Sequence, residues 1–119
     1  MKRVLIVTPN PDVKTIIWYY LERMSIGHVF CAADGEEALR FLNNPRSRVD
    51  IAIISNEMLG SPAEDVWKRA KEFNPLIRGV VFTTSLHPQK VVEAFCGEAA
   101  VMRVPFSFAD LQAAVLVQK

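Results

Sequence analysis

The sequence is short of the residues from which several kinds of site are built. It has two cysteines, Cys31 and Cys96, and two histidines, His28 and His87, with no CxxC and no paired histidine spacing. That excludes a disulfide framework and offers no zinc signature, so a reducing cytosol is the expected setting. Glycine is equally sparse, at 5 residues. None of them builds a GxGxxG or another phosphate-cradling loop, which leaves flavin or dinucleotide binding unsupported. Neither sign of charge is in excess: 14 Lys+Arg stand against 13 Asp+Glu. Such a balance argues against electrostatic binding to nucleic acid or to a membrane surface. The opening MKRVLIV is basic then apolar, but its apolar run stops at Thr8-Pro9-Asn10, too short for a signal peptide. No stretch approaches the ~18 apolar residues of a membrane span. At 119 residues the expectation is one soluble, intracellular domain, 1–119, able to hold its own core.

What the chain does have is a regular alternation. Apolar, β-branched runs occur at Val4–Val7, Asp50–Ile54, Gly79–Phe82 and Ala99–Val104, without polar alternation. Strands buried on both faces read this way. A weaker run, His28–Ala32, fits an edge strand. Between the runs lie helical patterns. From Pro11 to Met24 the residues Val13, Ile16, Ile17, Tyr20, Leu21 and Met24 share one face, with Asn10 as cap and Pro11 in the first turn. A second helix is predicted over Glu36–Leu42, after Asp34-Gly35. A third runs over Pro62–Phe73, with Ser61 and Glu64 as a capping box. A fourth starts at Pro88 and ends before Gly97, and a fifth covers Phe108–Gln118 behind Ser107. Strands alternating with helices imply an α/β fold, a doubly wound parallel sheet covered on both faces.

In such a sheet, ligands bind outside the carboxyl ends of the strands. Those tips are Thr8-Pro9-Asn10, Ser55-Asn56-Glu57, Thr83 to His87, and Val104-Pro105-Phe106. Several stretches around them have a shared texture: KRVLIV at the start, Asp34-Gly35-Glu36-Glu37-Ala38-Leu39, Asp50 to Ile54, Met58 and Gly60, Thr83, and Val104-Pro105-Phe106. In these the chain, over its whole length, resembles the receiver domain of bacterial response regulators. The resemblance implies a flavodoxin-like, five-stranded sheet in the order 2-1-3-4-5 with five helices. It also implies a role in two-component or phosphorelay signal transduction.

The resemblance carries a chemistry as well: an aspartate after the third strand accepts a phosphoryl group from a histidine kinase. Two acidic residues after the first strand join it in holding Mg²⁺, a lysine after the fifth neutralises the phosphate, and a Ser/Thr after the fourth bonds it. Position by position, the acidic pair falls on Thr8 and Pro9, the acceptor on Ser55 and the lysine on Val104; only Thr83 keeps its type. Mg²⁺ wants carboxylate oxygens, and a serine hydroxyl cannot form the acyl phosphate. The expectation is a pseudo-receiver, incompetent for phosphorylation, with its Mg²⁺ site lost and no cofactor. An inward-turning aromatic of the family is replaced by Val101, so Thr83 is expected to lack its switching partner.

Other residues near the tips have plainer readings. Glu57 and His87 read as solvated loop residues, and Cys31 and Cys96 as small buried hydrophobes. The alternatives are a receiver still phosphorylated, or a rim hydrolase, using Ser55, Glu57 or Asp12 atypically; no GxSxG elbow surrounds Ser55. Trp18 and Tyr19 are expected on the flank of the first helix. They pack there against Val115 and Leu116 of the last helix, or serve as a partner-binding anchor. Lys90, Glu93, Arg103 and Asp110 are expected on the face of the fourth helix, fifth strand and fifth helix. That face is mixed in charge, and receivers often dimerise there. The expected role is protein interaction, with a histidine kinase, an output domain or another regulator, and not catalysis.

Overall fold

A computed structural model describes residues 2–58 and 60–116. Strands and helices alternate along the chain: β1 (Arg3–Val7), α1 (Pro11–Arg23), β2 (His28–Ala32), α2 (Gly35–Leu42), β3 (Ile51–Ser55), α3 (Ala63–Phe73), β4 (Arg78–Thr83), α4 (Pro88–Ala94), β5 (Ala99–Arg103) and α5 (Phe108–Leu116). The strands form one parallel sheet in the order β2-β1-β3-β4-β5, as expected. The predicted extension of α5 to Gln118 lies outside the described residues.

The side-chain period of two explains why the central strands show no polar positions. Val4 and Ile6 of β1, Ile51 and Ile53 of β3, and Val80 and Phe82 of β4 face one way. They meet Ile17 and Leu21 of α1 and Leu111 and Val115 of α5. Leu5, Val7, Ala52, Ile54 and Val81 face the other way, onto α2, α3 and α4 through Leu42, Val66, Trp67, Val91 and Phe95. Both faces are therefore cores, and both must be apolar. β2 keeps only Ala32 buried, as an edge strand does.

The helix ends follow local chemistry, with one exception. Asn10 Oδ1 accepts from the N–H groups of Asp12 (2.9 Å) and Val13 (3.2 Å), starting α1 at Pro11. Asp34 Oδ1 accepts from Glu37 N–H at 2.8 Å, and Glu37 reaches back to Ala33 N–H, so α2 begins at Gly35. Ser107 and Asp110 exchange side-chain and backbone bonds, each of 3.0 Å, at the start of α5. Ser61, by contrast, does not cap α3. Pro62 stands at the cap with no side-chain bond, and its carbonyl accepts from Asp65 and Val66 N–H. Ser61 is pressed instead against Gly35, where a β-carbon would collide with the Ser61 carbonyl.

The face of α1 is narrower than its pattern suggests. Ile17 and Leu21 are buried, Val13, Tyr20 and Met24 partly so, but Ile16 is 45 % exposed. The sheet can take only the stripe along residues 17 and 21, and Ile16 sits about 100° round the helix from Ile17.

α3 lies close to the sheet where Trp67 covers Gly79. A β-carbon at Gly79 would sit 2.5 Å from the indole ring. Gly79→Ala is therefore expected to lower stability by about 1–3 kcal/mol. Urea denaturation checks this; an unchanged midpoint would show that α3 yields without cost.

Candidate functional site

β1, β3 and β4 run out at the same rim, and each delivers a hydroxyl there. Thr8, Ser55 and Thr83 are the buried polar residues among the described residues, at 4 %, 5 % and 0 % exposure. Thr8, Pro9, Ser55, Glu57, Thr84 and Val104 are among the residues lining a cavity of about 230 Å³. The structure thus gathers the predicted rim residues, with Thr83 directly behind them. Pro105 follows a cis peptide bond from Val104 and turns away, lining a separate groove with Arg103.

Each hydroxyl already has a task. Thr8 Oγ1 accepts from Asn10 N–H at 3.2 Å. Ser55 Oγ donates to the backbone carbonyl of Glu57 at 3.1 Å. Thr83 Oγ1 accepts from Ser85 N–H at 3.0 Å and donates to Glu57 Oε2 at 2.6 Å. The other oxygen, Glu57 Oε1, accepts from Thr84 N–H at 3.0 Å, and Asn56 Nδ2 adds a bond of 3.2 Å to Oε2. Burial alone would push the Glu57 carboxyl up. The hydrogen bonds from Thr83, Thr84 and Asn56 favour the ionised form, outweigh burial, and hold it below the usual glutamate range.

Glu57 lies exposed in its loop, as expected, but its carboxylate is also tied across to β4 and the loop after it. Thr83 bonds the Glu57 side chain, while position 101, where the resemblance implies a switching aromatic, is valine. Thr84 falls on the expected strand tip, but the sequence gives it no role of its own. It contributes a backbone N–H, which no side-chain pattern reveals.

The remaining candidates lie apart from the cavity. Asp12 is exposed in the first turn of α1, and His87 is exposed at the start of α4. Among the described residues, the bond Ser55 makes is to Glu57, not to either of them. Cys31 and Cys96 are exposed, not buried. Cys31 lies on the edge strand, and Cys96 sits at φ 55° in the turn after α4. Burial of part of its side chain still raises the Cys31 thiol, against the pull of Lys14. Trp18 and Tyr19 are 47 % and 58 % exposed. The ring that α1 packs against the α5 side is Tyr20, whose centroid lies 5.4 Å from Phe108 and 6.5 Å from Phe106. Lys90, Glu93, Arg103 and Asp110 are all exposed. Arg103 and Asp110 share a groove of about 450 Å³ beside β5, with Lys90 and Glu93 outside it on α4.

The lowered pKa of Glu57 fixes the sign of a pH effect. A group with a depressed folded pKa stabilises above its unfolded pKa, and this is lost as pH falls through the folded value. Glu57→Gln is expected to cost about 1 kcal/mol at neutral pH. The gap from the parent protein should close as pH drops below the carboxylate range. Denaturation curves across that range check it; a gap independent of pH would deny the charge its role.

No protein-family model matches this sequence, and no curated protein matches it. Solved structures do. The chain aligns over 97 % of its length with 91 % of a response regulator receiver domain protein from Clostridium thermocellum, at 22 % identity and a TM-score of 0.80. A CheY-like receiver domain protein from Methanospirillum hungatei matches over 97 % of this chain and 90 % of its own, at 20 % identity and 0.83. The CheX–CheY–BeF3–Mg²⁺ complex from Borrelia burgdorferi matches over 98 % and 90 %, at 20 % and 0.83. With its strand order and helix placement, the chain has the CheY-like fold of response-regulator receiver domains.

Proposed function

We propose that this chain is a protein-interaction module of two-component or phosphorelay signal transduction that takes up no phosphoryl group and catalyses no reaction. The observation that carries this reading is Ser55, a hydroxyl at the position where a receiver needs its acceptor aspartate, already donating to a backbone carbonyl. A serine oxygen needs an activating base to attack, and the bond it makes here supplies none. Val104 offers no cation to balance a transferred dianion.

The residues present do not fit the Mg²⁺ that the fold family implies. Mg²⁺ takes octahedral oxygens, with one or two carboxylates among them. Thr8 and Ser55 offer neutral hydroxyls, and the Pro9 side chain offers nothing. Glu57 is a single carboxylate, and both its oxygens already accept hydrogen bonds, Oε2 from Thr83 and Asn56 and Oε1 from Thr84. What transfers from the fold's relatives is docking, as in the complex that pairs CheX with CheY. On this chain the anchors are Trp18 and Tyr19, two large rings half in solvent on α1. The partner is a protein: a histidine kinase, an output domain or another regulator in the cytoplasm. Homodimerisation through the α4-β5-α5 face of Lys90, Glu93, Arg103 and Asp110 is the second docking mode. Among the described residues, no helix is long and apolar enough to cross a membrane.

Acetyl phosphate with Mg²⁺, followed by intact mass measurement, tests the reading. The mass is expected to stay unchanged. A phosphoryl adduct that Ser55→Ala abolishes would overturn it.

A further inference from the structure

The contacts around Glu57 have the form of a ligand and its seat. Thr83 is fully buried, and its hydroxyl has one proton to give. Because Ser85 N–H already occupies a lone pair of that oxygen, the proton is directed away from Ser85, and it falls on Glu57 Oε2 at 2.6 Å. A separation this short marks a charge-assisted bond to an ionised acceptor. Thr84 N–H meets the second oxygen at 3.0 Å. Two donors from adjacent residues thus take the two oxygens of one carboxylate, which reaches them from a loop 26 residues earlier.

We propose that Thr83 Oγ1 and Thr84 N form a seat for a single carboxylate, and that Glu57 occupies it as the chain's own ligand. The rim is thereby held in a filled state, and the β3-α3 and β4-α4 loops are tied together without any outside anion. The seat suits a planar monoanion. It has two neutral donors in line with two oxygens, and the nearby side chain of Val104 brings no positive charge to offset a second negative one. Removing the Glu57 side chain leaves a buried hydroxyl without its acceptor, and a small carboxylate from solution can replace it. The inference deepens the reading above, since it concerns the same rim. Its test is separate, because phosphoryl transfer to Ser55 would refute that reading and leave the seat untouched.

The experiment follows the Thr84 amide by ¹⁵N-resolved NMR in the full chain. In the parent protein this proton is expected downfield and slow to exchange, and formate leaves it in place. In Glu57→Ala it should move upfield and exchange faster. Formate, at ionic strength matched with chloride, should then return it saturably to the parent position. In Glu57→Ala/Thr83→Val that return should be lost. If the amide stays put in Glu57→Ala, or formate gives no saturable return, the seat does not exist. Saturation by inorganic phosphate more tightly than by formate would overturn the carboxylate assignment. Should Glu57→Ala not fold, the parent protein still decides. A slowly exchanging Thr83 hydroxyl proton with a nuclear Overhauser effect to the Glu57 γ-protons supports the seat, and its absence refutes it.

Discussion

A parallel sheet covered on both faces can meet polar side chains only at its ends, and this constraint organises the molecule. β1, β3 and β4 are apolar along their buried lengths. The buried hydrophilic side chains are therefore found at the carboxyl rim, where Thr8, Ser55 and Thr83 are set together. A hydroxyl that is buried must find a partner or cost about 1–3 kcal/mol. The rim solves this internally, with Thr8 accepting from the turn into α1, Ser55 bonding the Glu57 carbonyl, and Thr83 bonding the Glu57 side chain.

The same rim in a phosphorylated receiver gathers several carboxylates, which repel one another until a cation arrives. Among the described residues lining this rim cavity, the carboxylate is that of Glu57, and it is met by donors on both oxygens. A conformational equilibrium moves only when something binds its states differently. On the reading proposed above, docking of a protein partner would supply such a difference.

Much of the fold is legible in the sequence because its causes are local. The runs around Val4–Val7 and Ile51–Ile54 are apolar without alternation, and a strand with two cores can be nothing else. Asn10, Asp34 and Ser107 stand immediately before their helices and cap them. Where the reading failed, the cause lay across the chain. Ser61 has the spacing of a cap, but the close approach of Gly35 decides its place. Ile16 has the period of a core residue, but the sheet admits only the stripe along Ile17 and Leu21. Cys31 reads as apolar filling, yet on the edge strand β2 the cover reaches only Ala32. The residue types at Thr8, Pro9, Ser55 and Val104 are visible in the sequence. The bond that gives the rim its character joins residues 57 and 83, and only the folded loops bring those together.

The stacking of Trp67 on Gly79 carries a consequence for how this chain can vary. The indole is buried, and its Nε1 has no hydrogen-bond partner among the described residues, so the ring is retained for its shape. It fills the volume that the missing β-carbon leaves open. The two sites therefore behave as one unit of space: a bulkier residue on the strand is admissible only alongside a slimmer one on the helix. Enlarging position 79 alone carries the cost given above, and a smaller residue at position 67 relieves it.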